Sequence, residues 1–258
     1  MSAETEVAAR PVGSGRSRGG RGNVTGAVTT VAGALIVAYL FSTNPDPKTP
    51  ESYKLINTAL CLWAPLMVIL FVLKQEPSRF GLTHGDRRQG LRWTLVAWIG
   101  MTILLAVMSR IPALWRGQQQ YYLNGILSQY YEGVGPVFAA GRVHCLALVY
   151  YELFMGFYFF CWEFFFRGFL LFGLQKTKLG STGAIIAQAL VFMLLHWSWH
   201  AGASKPGPEV LSSLVGGILL GVLAVRTRSC LYGYLAHWSI SVTQDIFLLA
   251  PFIFHQLG

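Results

Sequence analysis

The chain of 258 residues is 53% apolar and only 12% charged, about half the charged share of soluble domains, and its mean hydropathy is +0.48. So few charges cannot coat a water-facing surface, which excludes a soluble globular protein and predicts an all-α, polytopic transmembrane helix bundle of seven or eight spans. The formal charge of +9 lies outside the apolar runs, where it reads as loop charge that sets membrane orientation and not as a nucleic-acid surface.

Residues 1–23 are rich in Gly, Arg and Ser and lack apolar periodicity, so they are expected to form a disordered tail. Arg10, Arg16, Arg18 and Arg21 hold that tail on the cytoplasmic side. The apolar run Gly26 to Phe41 is followed by Asn44-Pro45-Asp46-Pro47 and not by a small-residue cleavage site, so it reads as a retained first span. Residues 24–258 form the multi-span membrane domain, with candidate spans at 24–43, 55–73, 93–109, 143–174, 181–199, 209–225 and 230–250. Ile246 to Leu257 is apolar but interrupted by Pro251, and reads either as an eighth short span or as an interfacial segment. The fourth run is long enough that it must tilt or project beyond the bilayer. Cys61, Cys145, Cys161 and Cys230 all fall in apolar stretches and read as small hydrophobes, not as a disulfide framework.

Charge placement orients these spans. The connections after the second, fourth and sixth carry Lys74, Arg79, Arg87, Arg88 and Arg92, then Lys176 and Lys178, then Arg226 and Arg228. The connections after the first and fifth are mixed and Pro-rich. The alternation predicts a cytoplasmic N-terminus. The connection between the third and fourth spans holds Arg110, Arg116 and Arg142 against Glu132 and fits the alternation least, and its Trp115, Tyr121, Tyr122, Tyr130 and Tyr131 suit a membrane interface.

An ionisable side chain at membrane depth costs on the order of a few kcal/mol, so it is a functional candidate by default. Glu152, Glu163, Arg167, His196, His200, His237 and Asp245 make up that group, and they fall on the fourth, fifth and seventh spans. This segregation points to one polar site built by three helices. Glu163 and Arg167 are four apart and share a helix face, either as a structural ion pair or with a catalytic carboxylate. Glu152 lies eleven residues earlier, roughly 16 Å along a helix, and is expected near the outer interface. His196 and His200 also share a face. Trp197 stands where a zinc-protease helix carries Glu, so no metal is assigned. His237 and Ser241 repeat the four-residue spacing, either as helix glue or as a working pair, and Asp245 one turn on either orients them or meets solvent.

Three segments together resemble the CPBP family, also called Abi, which contains CAAX prenyl endopeptidases and bacterial bacteriocin-processing or immunity proteins. Its Glu-Glu-x-x-x-Arg motif is similar to Trp162-Glu163-Phe164-Phe165-Phe166-Arg167, followed by Gly168. Its Phe-x-x-x-His motif is matched by Phe192 to His196, and its His-x-x-x-Asn motif by His237 to Ser241. Arg79-Phe80-Gly81-Leu82 and Gly217-x-x-x-Gly221 add to a resemblance that covers about 79–245. It implies a glutamate-type intramembrane endopeptidase without a cofactor, acting on a membrane-associated protein or peptide such as a C-terminal tail. Carried over, His196 assists the attacking water, His237 holds the oxyanion with Ser241 in the Asn position, and Arg167 tunes the carboxylate.

Two positions depart from the pattern. Trp162 occupies the place of the first Glu, the position usually given the catalytic role, so Glu163 must take that task or activity is altered or lost. Ser241 for Asn is milder, because both donate a hydrogen bond. The alternative function is a catalytically silent member acting as a membrane immunity or scaffold protein. A transporter reading expects an inverted repeat, which is not seen. The location expected is a bacterial inner membrane, and the oligomeric state stays open.

Overall fold

The computed structural model describes residues 17–43, 50–197 and 207–257. They form an all-α bundle with one small hairpin. Helix α1 is Ser17–Thr43, α2 Glu51–Val72, α3 Arg87–Met108, α4 Pro112–Tyr121, α5 Cys145–Leu174, α6 Gly180–His196, α7 Gly207–Thr227 and α8 Leu231–Leu257. Strands β1 (Phe138–Ala139) and β2 (Arg142–Val143) pair antiparallel just before α5.

Five helices are long and apolar enough to cross a membrane by length and composition: α1, α2, α3, α5 and α7. Helix α6 is apolar but shorter. The first helix begins at Ser17, so the last part of the segment expected to be disordered is helical here. Ile246 to Leu257 is not a separate span. Pro251 lies inside α8, which runs unbroken to Leu257. Neighbouring packing holds that stretch: Phe252 meets Phe138 edge-on at 4.7 Å, and Gln256 Oε1 accepts the Val143 N–H at 2.9 Å.

Helix α5 is the central element. Every residue from Cys161 to Leu171 is buried, against Leu40 of α1, Ile69 of α2, Phe192 of α6 and Ala224 of α7. Helix α3 is peripheral and turns Leu91, Leu95, Ile99 and Ile103 outward, as a lipid-facing helix does. Helix α8 packs against both α3 and α5.

The basic connections gather at one end of the bundle. The Asp86 N–H bonds the Thr227 carbonyl at 3.0 Å, and the Cys230 N–H bonds that of Gly81 at 3.0 Å. Tyr232 donates to the His84 carbonyl at 2.6 Å. Gly81 makes the turn, with φ of 81°, and a Cβ there would lie 2.5 Å from the Phe172 ring. The Arg79-Phe80-Gly81-Leu82 segment is therefore a structural latch between the second connection and the start of α8.

The opposite end carries a cap, residues 112–143. Its aromatics do not all lie at an interface as the sequence suggested. Trp115 and Tyr131 are buried in a core with Leu127, Val137, Tyr151 and Leu249, while Tyr130 is exposed. The cap has enough apolar residues to build its own core against α5 and α8, and that burial outweighs interfacial placement.

Candidate active site

Glu163 and Arg167 lie where α5 changes pitch. Phe164–Leu170 is a π-helical turn, with the Leu171 N–H reaching the Phe166 carbonyl five residues back. Such turns are frequent at functional sites, although the chain has others at Ala59–Trp63, Val68–Val72 and Tyr122–Ile126. Both charged side chains are fully buried.

Glu163 Oε1 accepts from Arg167 Nη1 at 3.0 Å and lies 2.8 Å from His237 Nδ1. One carboxylate oxygen thus ties α5 to itself and to α8. The other, Oε2, takes no hydrogen bond among the described residues. It faces Gly233, where a Cβ would stand 3.0 Å away. The guanidinium of Arg167 lies over the Phe192 ring at 4.2 Å, so a ring face and a carboxylate together cover the buried cation.

Trp162 and Glu163 leave α5 toward different partners. The Trp162 ring meets Phe166 at 5.4 Å, Phe192 at 6.0 Å and His196 edge-on at 6.3 Å. An indole therefore stands beside His196 at the place where the resemblance puts the first carboxylate. His196 Nδ1 is 2.9 Å from the Phe192 carbonyl. That carbonyl can only accept, so Nδ1 carries the proton and Nε2 is the basic nitrogen. The same argument at the Glu163 carboxylate puts the His237 proton on Nδ1. His237 is a quarter exposed, at 25%, and stacks on Phe159 at 4.3 Å.

Phe192 stands between the two imidazoles, with ring centroids 4.3 Å from His196 and 6.3 Å from His237. The structure thus brings Glu163, Arg167, His196 and His237 around one phenylalanine. Ser241 lies one turn beyond His237 on α8, half-buried, and is not hydrogen-bonded to it among the described residues. Glu152 and Asp245 are not in this cluster. Asp245 is buried two turns beyond His237 on α8, so it does not meet solvent, and it makes no hydrogen bond to His237 among the described residues. His200 lies outside the described residues.

Two participants were not assigned a role from the sequence. Gly233 has no side chain, and only its contact with Glu163 Oε2 marks it. Phe192 stood in a motif, but its place as the ring over Arg167 depends on how α6 crosses α5.

Residues 143–243 match the family model Rce1-like, described as type II CAAX prenyl endopeptidase Rce1-like. No curated protein and no solved structure matches the chain. The matched segment contains all of the clustered residues.

Proposed function

With an Rce1-like domain of the CPBP family at residues 143–243, we propose that this integral membrane protein is an intramembrane endopeptidase that hydrolyses a peptide bond near the end of a membrane-associated protein. The observation that carries this reading is the convergence of three separated motifs, with Glu163 bonded at once to Arg167 and His237 and His196 across the Phe192 ring.

His196 has its Nδ1 proton committed to a carbonyl, so Nε2 takes the proton of the attacking water and returns it to the leaving amide nitrogen as the C–N bond breaks. His237 is held by the Glu163 carboxylate through Nδ1. The ring is a quarter exposed, and when it carries a second proton its other nitrogen donates to the developing oxyanion. Glu163 offsets the charge on that ring, in the way a buried carboxylate supports an imidazole in hydrolytic triads. Arg167 balances Glu163. In this chain Glu163 orients and supports His237, and His196 activates the water without the help of a first carboxylate. Ser241, one turn along α8 from His237, is the second oxyanion donor.

The basic loops and the tail face the cytoplasm of a bacterial inner membrane, and α6 and α8 cross the bilayer with the five longer helices. The substrate enters from the lipid or the cytoplasm as a peptide tail.

A second reading has one observation in its favour. The Trp162 indole fills the space beside His196, which suits a silent member that binds a membrane partner. The two readings part on the products. The purified protein, reconstituted with a membrane-anchored C-terminal peptide, is expected to yield two fragments whose masses sum to the peptide plus one water. An intact peptide retained on the protein supports the silent reading.

A further inference from the structure

A cleft on the outer side of the bundle lies apart from the site just described. Helices α3 and α8 both start at the basic end and run side by side. The Thr94 hydroxyl donates to the Tyr232 carbonyl at 3.1 Å, and the Trp98 indole N–H to Thr243 Oγ1 at 2.9 Å. Between their first turns is a cleft of about 260 Å³, lined by His84, Arg87 and Leu91 on one side and by Leu231, Tyr234 and Leu235 on the other. Tyr232 also lines it and holds it in shape. Its hydroxyl donates to the His84 carbonyl at 2.6 Å, and a Cβ on Gly90 would stand 2.3 Å from its ring. The cleft is therefore built into the joint between the two helices.

Its polarity changes with depth. His84 and Arg87 are exposed where α3 begins. Leu91 and Leu235 lie one helical turn further along than Arg87 and Leu231, roughly 6 Å, and Leu91 is 51% exposed. Arg87 makes no ion pair among the described residues. Asp86 beside it is engaged as the cap of α3, accepting the Gln89 N–H at 3.0 Å. A cationic rim above apolar walls that open to lipid complements an anionic headgroup above an acyl chain. Arginine presents a planar fork to phosphate oxygens, an imidazole keeps at least one N–H donor whether neutral or charged, and basic recesses between membrane helices take anionic headgroups. The volume is below the roughly 300–1,000 Å³ of sites that enclose a small molecule, so the cleft holds a phosphate and the first part of one chain while the rest stays in the bilayer.

We propose that this cleft binds an anionic phospholipid, with its phosphate on Arg87 and His84 and one acyl chain against Leu91, Tyr234 and Leu235. The lipid so placed bridges α3 and α8. Tyr234 also meets Phe160 of α5 edge-on at 5.6 Å and adjoins Gly233, so the lipid seats against the stretch of α8 that faces Glu163. The proposal goes beyond the endopeptidase reading and does not depend on it.

The test titrates the full chain in detergent with phosphatidylglycerol carrying a fluorophore on one chain. The competitors are unlabelled phosphatidylglycerol, phosphatidylcholine, inorganic phosphate and a membrane-anchored C-terminal peptide. Phosphatidylglycerol is expected to displace the probe about tenfold better than phosphatidylcholine, and Arg87→Ala to weaken probe binding about tenfold, the worth of a charge-assisted hydrogen bond. Leu91→Trp, which stays apolar but takes the space of the chain, is expected to weaken it as well. Arg88→Ala removes a neighbouring exposed cation that does not line the cleft and is expected to change little. Equal losses in Arg87→Ala and Arg88→Ala overturn the proposal in favour of diffuse surface charge, and equal displacement by the two lipids overturns it outright. Inorganic phosphate that competes as well as the lipid makes the cleft an anion site without a chain, and a peptide that does so makes it a seat for the substrate's anchor; either result overturns the lipid assignment. Should Arg87→Ala fail to insert, Leu91→Trp decides, and unchanged probe binding there overturns the proposal.

Discussion

Adjacent residues on α5 serve different partners, and that division governs what single substitutions do. Trp162 packs on Phe166, Phe192 and His196, while Glu163 faces His237 and Gly233. Gly233→Ala places a methyl 3.0 Å from Glu163 Oε2, so the carboxylate must move off its present seat. The expected result is insertion like wild type with cleavage reduced about tenfold or more, read by cleavage kinetics beside a membrane-insertion assay. Trp162→Glu is expected to add no activity, because it buries a new charge among rings and costs about 3 kcal/mol of stability. A melting curve in detergent and the same cleavage assay check both parts. Cleavage that appears only in Trp162→Glu favours the silent reading of the natural chain. The cluster itself was largely legible in the sequence: charged residues at membrane depth are rare, and Glu163, Arg167, His196 and His237 stood out for that reason. Lys54, also buried, did not, because it stands at the edge of an apolar run, where a lysine ordinarily reaches water. Its burial comes from the cap that folds over it.

At the level of elements, the spacing of apolar and polar residues set out the helices but not their joints. The π-helical turn at Phe164–Leu170 has no sequence signature, since the run of phenylalanines fits a regular helix equally well. The continuation of α8 through Pro251 also escaped the pattern, because a proline in a membrane helix is tolerated where neighbours satisfy the freed carbonyls. The contact between α5 and α8 is the joint that matters most for the site. Gly156→Ala drives a methyl to 2.7 Å from the Trp238 ring, and overpacking of this kind costs about 1–3 kcal/mol. It is expected to lower the melting temperature and the cleavage rate together. Gly100→Ala is the control, since a Cβ at that exposed position meets nothing within 4 Å. Equal tolerance at both positions contradicts a tight α5–α8 joint.

For the whole molecule, the two ends differ in chemistry. One holds Lys74, Arg79, Arg87, Arg226 and Arg228 in two connections that are joined at the start of α8. The other is closed by the cap. The sequence sets these basic residues in alternate connections, the pattern expected of a chain whose consecutive connections lie on opposite sides of a bilayer. The cap's own core was not legible, since its aromatics pair across long sequence separations, as Phe138 does with Phe252. Cys145 offers a natural probe of orientation. It is exposed at the cap end, whereas Cys61, Cys161 and Cys230 are buried. A membrane-impermeant thiol reagent is expected to label Cys145 from outside intact cells. Labelling only after permeabilisation contradicts a cytoplasmic N-terminus.

The central claim is that the buried Glu163 carboxylate supports His237 during peptide hydrolysis. Its most direct measurement is cleavage of a membrane-anchored tail peptide by wild type and Glu163→Gln at matched insertion, with solvent oxygen-18 followed into the new carboxyl terminus. Wild type is expected to place one labelled oxygen there, and Glu163→Gln to lose at least about a hundredfold in rate. Equal rates and equal label in the two proteins would contradict the account, because a neutral amide cannot offset the charge on His237.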